Sequence, residues 1–219
     1  MNPKTVHVVL CNEWADWEIG PAMARINAPI WQREPGRFAT ATVAETRQPR
    51  RSMGGLTAVP DLTVAEIRPA DSAMLIIPGG AGWECADWDR DGYPAITALA
   101  EEFLDAGVPV AAICGATFGL ARAGLLDDRD HTSGAPEYLA MSGYRGAARY
   151  RDERAVTDGD LITAGPTDAL EFTRHILARL EILTAEALEA WYQLFSTGDA
   201  AWYGVLNAAT TADPVAAGR

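Results

Sequence analysis

The stretch from Val108 to Leu126, VPVAAICGATFGLARAGLL, decides the fold. It opens on an unbroken apolar run, Val108 to Ile113. Such a run predicts a short strand buried on both faces, as at the centre of a parallel sheet. Cys114 and Gly115 follow, and a helix-like pattern then runs toward Gly124, a stop signal. Strand, sharp turn and helix make half of a βαβ unit. A thiol on that turn is held out from the backbone, as in a nucleophile elbow.

Working outward, the same alternation recurs. Val6–Leu10 and Met74–Ile77 read as further buried strands, Phe38–Val43 as a strand and Leu56–Val59 as a short one. Asn12–Trp17 reads as a loop, and helices are expected from there to about Trp31, over Tyr93–Ala106 with Gly107 as its stop, over Asp168–Leu180, and over Thr184–Phe195 with Thr184 as its cap. Two short segments within Arg149–Ile162 flank Asp158-Gly159 and predict a hairpin. The expected class is α/β: a doubly wound, mostly parallel sheet with helices on both faces and an added C-terminal helix. Residues 1–209 read as one domain and residues 210–219, rich in Ala, Pro and Gly, as a frayed tail.

The 219 residues are 48% hydrophobic, enough for one domain with a substantial core. No apolar run reaches the length of a membrane span, and no signal peptide is expected. A formal net charge of −12 argues against nucleic acid, whose phosphates need clustered Lys and Arg. The three cysteines, Cys11, Cys85 and Cys114, are scattered and odd in number, so neither a disulfide framework nor a zinc site is expected. A reducing cytoplasm fits that usage. Cys11 and Cys85 read as core filling.

In a doubly wound sheet, ligands bind beyond the carboxyl ends of the strands, where the strand order reverses. Three loops here leave such ends. Asn12–Glu18 carries Glu13, Asp16 and Glu18. Pro78–Glu84 carries two glycines with unobstructed N–H groups. Cys114–Thr117 carries the thiol. The helix N-terminus is expected to lower the thiol pKa, and the Gly115 N–H to point where an oxyanion would form. The small Gly115 and Ala116 would let a substrate approach. Trp14, Trp17 and Trp83 read equally as pocket walls or as packing.

The block AAICGATFGLARAGLL, the upstream LIIPGG and the glutamate in ADWEIG together resemble the ThiJ/PfpI family, of the class I glutamine amidotransferase-like superfamily. SMGGLTAVPD and HTSGAPEYL are similar to segments of a bacterial subgroup. The resemblance runs from about Val6 to about Leu180. It implies a flavodoxin-like fold, Cys114 as nucleophile, Glu18 as the carboxyl that hydrogen-bonds it, and Gly80 and Gly115 as the oxyanion hole. It also implies a homodimer acting on a small molecule without metal or organic cofactor. An ionised Glu18 would repel a thiolate, so the pair works only if Glu18 is protonated or the two share one proton.

The histidines depart from that pattern. Peptidase-like members have a His directly after the nucleophile, where this chain has Gly115. In other members a His falls near the position of Gly134; His131 comes three positions early, an odd offset that turns an extended side chain to the opposite face. His131 is therefore only a candidate auxiliary base. Amide hydrolysis needs an acid for the leaving nitrogen, so hydration or glyoxalase-type attack on an electrophilic carbon is favoured over peptidase chemistry. The rival expectation is a redox or stress sensor that oxidises Cys114 without turnover.

Overall fold

The computed structural model describes residues 3–85 and 93–211. Its elements, in chain order, are β1 (Lys4–Val9), α1 (Asp16–Asn27), β2 (Phe38–Ala44), a hairpin of β3 (Arg50–Arg51) and β4 (Thr57–Ala58), β5 (Leu62–Thr63) and β6 (Ser72–Ile77). Then come α2 (Tyr93–Asp105), β7 (Val110–Ile113), α3 (Gly115–Arg122), α4 (Pro136–Ala140), β8 (Ala155–Asp158) and β9 (Leu161–Ala164). Three helices finish the chain: α5 (Ala169–Arg179), α6 (Ala185–Thr197) and α7 (Ala201–Thr211).

A seven-stranded sheet runs in the order β5-β2-β1-β6-β7-β9-β8. Every neighbouring pair is parallel except β8 with β9. From β1 the chain first builds outward through β2 to β5, then crosses to the other side of β1 for β6. The strand order therefore reverses between β1 and β6, and the loops leaving their carboxyl ends open into one crevice. The last four residues of β1 and β6, and all of β7 and β9, are buried. That explains their mostly apolar composition, interrupted only by His7 and Thr163: a strand covered on both faces has no solvent side to alternate with. Helices α1 and α5 pack together, as do α2 and α3.

The buried positions of α1 are Glu18, Ile19, Ala22 and Ile26. Their spacing is that of an apolar helix stripe, and its first member is a glutamate.

Some expectations are corrected. The first helix stops at Asn27, not near Trp31. Ala28 precedes a proline and is extended, with φ −82° and ψ 124°; the proline ring clashes with a helical residue before it. The hairpin around Asp158-Gly159 is confined to β8 and β9. Helix α7, which packs on α6, was not anticipated. It claims Thr210 and Thr211, the first residues of the expected tail; the remainder, 212–219, lies outside the described residues. Thr184 caps α6 as expected, its side chain accepting from Ala187 N at 3.1 Å. Cys11 is buried, but Cys85 is exposed rather than core filling.

Trp83 is fully buried and lies across the first turns of α3. A Cβ on Gly115 would come within 2.6 Å of its Cδ1, and one on Gly119 within 2.3 Å of its Cζ3. These glycines make room for an indole. Trp83 is packing, and the small size of Gly115 serves that packing rather than substrate approach. Helix propensity alone would make Gly119→Ala stabilising by roughly 1 kcal/mol. The collision with an indole that has no space to retreat reverses the sign. Urea unfolding should show the variant destabilised by about 1–3 kcal/mol; a gain would mean that the ring is free to move.

Candidate active site

Three loops converge at the switch point. Ala15 N donates to Gly79 O at 3.0 Å, and Ala81 N donates to Asn12 O at 3.0 Å, joining the exits of β1 and β6. Cys114 N donates to Ala164 O at 3.1 Å, fixing the exit of β7 to the end of β9. Cys114 itself has φ 59° and ψ −127°. A non-glycine residue at positive φ is strained by about 1–3 kcal/mol and persists only where its surroundings enforce it. This is the elbow expected from the sequence, with the thiol partly buried where the strand turns into α3.

Glu18 is fully buried in the first turn of α1. Its Oε2 accepts from Gly79 N at 2.7 Å. A Cβ on Gly79 would lie 2.8 Å from Cys114 Sγ and 3.0 Å from that same Oε2. Thiol and carboxyl thus face one another across a backbone that carries no side chain. The other carboxyl oxygen, Oε1, is buried without a hydrogen-bond partner among the described residues, and the Cys114 thiol interacts with the carboxyl group. Trp14 packs beside this residue in the core, whereas Trp17 is half exposed.

Burial raises the Glu18 pKa, and the Gly79 N–H and the thiol offset only part of that rise. The Cys114 thiol is pushed up to about 12, first by burial and then by the Glu18 carboxylate; the Gly115 N–H pulls the other way. The expectation of a lowered thiol pKa is therefore corrected. A helix end contributes about 0.3–1 kcal/mol toward an anion, less than one pKa unit, whereas burial shifts a thiol or carboxyl by several.

Of the two glycines expected at the oxyanion hole, Gly115 lies beside the thiol and Gly80 lies against the exit of β1. The Gly115 N–H reaches the Cys114 sulfur, and Gly80 follows directly on Gly79. The Gly80 backbone is pressed against Asn12 O and Cys11 Sγ, each 2.6 Å from where its Cβ would be.

His131 is placed elsewhere. It is buried, with Nδ1 at 2.7 Å from Arg129 O and Nε2 at 3.2 Å from Tyr144 OH. A carbonyl only accepts, so Nδ1 carries the proton and Nε2 accepts from the tyrosine. Burial lowers its pKa, and both ring nitrogens are occupied away from Cys114. The side chain that does reach the elbow is Ser133. Its hydroxyl donates to Thr117 Oγ1 at 2.6 Å, which donates to Cys114 O at 2.6 Å. Ser133 was not singled out from sequence; Gly79 was noted only as one of two glycines with an unobstructed N–H, not as the partner of Glu18. Asp16 accepts from Ser52 Oγ at 2.6 Å and ties α1 to the β3–β4 hairpin.

With this geometry in hand, known proteins offer a comparison. The DJ-1/PfpI family matches residues 4–179. The chain belongs to the DJ-1/PfpI family. A relative from Bacillus subtilis called "Uncharacterized protease YoaZ" is 31% identical over 200 residues, covering 90% of this chain and 93% of the relative. A thiJ/pfpI family protein from Bacillus anthracis has a crystal structure matching at TM-score 0.86 and 32% identity, over 95% of this chain and 98% of that one. A DJ-1 superfamily protein from Agrobacterium tumefaciens matches at TM-score 0.75 and 32% identity, over 89% of this chain and 98% of that one. Membership in the DJ-1/PfpI family bears out the resemblance and the flavodoxin-like architecture.

The raised Glu18 pKa has a measurable consequence. An ordinary carboxyl titrates near 4.5, so above that pH the unfolded chain has released a proton that folded Glu18 still holds. Stability from this group is complete below that value and is lost as pH rises through the raised pKa. Glu18→Gln removes the loss and keeps an acceptor for Gly79 N–H. Urea unfolding at a series of pH values should show the variant gaining on the native protein as pH rises, by at most about 1.4 kcal/mol per unit. A constant difference would place the Glu18 pKa at its ordinary value.

Proposed function

We propose that this protein is a cysteine-dependent enzyme acting on a small molecule with an electrophilic carbon. The observation that carries the reading is the strained Cys114 at the β7–α3 elbow, facing a fully buried carboxyl on Glu18. Strain and burial of that order oppose folding and call for a compensating use.

A thiol with a raised pKa is not standing as a thiolate at neutral pH. It needs a base at the moment of attack, and Glu18, with its own raised pKa, is the better base for it. As the S–C bond forms, the Sγ proton passes to the carboxylate. The π pair of the attacked group moves onto its heteroatom, which the N–H groups of Gly80 and Gly115 are set to hold. Glu18 then returns the proton to that atom. In a dicarbonyl adduct the same carboxylate moves the carbon-bound proton to the neighbouring carbonyl carbon, giving a thioester that water splits, breaking the S–C bond to release the 2-hydroxy acid and restore the thiol. The cycle needs no histidine, in keeping with the engagement of His131 elsewhere. It suits addition to aldehydes or dicarbonyls better than expulsion of an amine, and it favours turnover over a peroxide sensor, which depends on a standing thiolate.

A panel of neutral aldehydes, dicarbonyls, isonitriles and primary amides, with the native protein and two variants, tests the reading. Cys114→Ser should abolish turnover. Glu18→Gln should cost about a hundredfold to ten-thousandfold in kcat. The same variant should lower the apparent pKa of Cys114 alkylation, because the carboxylate's repulsion is gone. Turnover that survives Cys114→Ser would refute the nucleophile; a Glu18→Gln variant with full kcat would refute the proton transfer.

A further inference from the structure

Two side chains beside the thiol have no part in that cycle. Glu84 follows Trp83, whose indole is packed on Gly115, the residue after Cys114. Tyr138 of α4 donates its O–H to Glu84 Oε1. The Tyr138 ring rests on Phe118, with centroids 5.2 Å apart, and Phe118 is one helical turn beyond Cys114. The pair therefore bridges α4 and the β6–α2 loop alongside the elbow. Glu84 is exposed, whereas Cys114 is only partly so. Among the described residues no ion pair neutralises Glu84. Arg122, the cation nearby, donates to Cys85 O at 3.0 Å and lies over the Phe118 ring at 5.3 Å.

We propose that Glu84, held in place by Tyr138, selects substrates by charge at the mouth of the thiol site, admitting neutral electrophiles and turning away those that carry a carboxylate. This rests on Cys114 being the nucleophile. Glu84 and Glu18 both oppose negative charge at the sulfur, and an incoming carboxylate meets the same two fields. One unit charge within about 8 Å at a part-solvated surface changes an encounter rate or affinity by roughly fivefold. Tyr138 adds a second restriction. Its single proton is committed to Glu84, so its oxygen faces a substrate as an acceptor. The favoured class is a small, neutral carbonyl compound bearing an O–H or N–H beside the reacting carbon. The disfavoured class is the 2-oxo acids, and amino acids whose carboxylate would need a cation.

Iodoacetamide and iodoacetate are a neutral and an anionic probe of nearly equal size. Their rates at Cys114, separated from Cys11 and Cys85 by mass spectrometry, give a ratio that is corrected for intrinsic reactivity by the same ratio in the urea-unfolded protein. The folded protein should favour iodoacetamide by roughly fivefold or more over the unfolded reference. The excess should shrink in high salt and fall to less than half in Glu84→Gln, which keeps an acceptor for Tyr138. A folded ratio equal to the unfolded one, or one unchanged by Glu84→Gln, overturns charge selection and leaves the nucleophile standing. Failure of both reagents to modify Cys114 up to pH 10 overturns both.

Discussion

The backbone of Gly79 passes so close to Cys114 and Glu18 that any side chain there would collide with both, at 2.8 Å from the sulfur and 3.0 Å from the carboxyl oxygen. Its N–H is spent on the carboxyl and its C=O on Ala15 N. One residue on, Gly80 is pressed between Cys11 Sγ and Asn12 O. The exit of β6 is thus a thin wedge between the exits of β1 and β7. Three strands that are neighbours in the sheet, β1, β6 and β7, bring one group each to a common point at their exits: a carboxyl, a backbone turn and a thiol. A larger residue at position 79 would push the acid and the thiol apart.

The electrostatics of that point are a contest between a local and a tertiary effect. The amino end of α3 and the Gly115 N–H favour an anion on sulfur. Burial and the neighbouring carboxylate oppose it, and they prevail. The site therefore holds its protons: burial makes both groups reluctant to ionise, and the Glu18 carboxylate adds to that reluctance at the thiol.

Much of the fold was legible in the sequence because its signals are local. Apolar runs, interrupted only by His7 in β1, marked β1, β6 and β7, and Cys114-Gly115 after such a run marked the elbow. Glu18 had a readable signal as well: it shares a helical stripe with Ile19, Ala22 and Ile26, so its charge lies on the buried face. The rest depends on contacts distant in sequence. The direction of the Cys114 pKa shift follows from desolvation, which no motif encodes. His131 is fixed by Arg129 O and by Tyr144, 13 residues away. The short α4, the two-residue strands β3 and β5, and α7 with its Gly204 carry weak local patterns and form because neighbours cover them.

The φ of 59° at Cys114 has a consequence for how the position tolerates change. With ψ at −127°, it is the mirror image of an extended conformation, which glycine adopts freely and L-residues resist. Replacement by glycine would relieve strain, so on stability alone the thiol sits uphill of its simplest substitute. Random mutation judged only by folding would drift away from cysteine here. The residue is kept against that slope only while something in the cell depends on its sulfur.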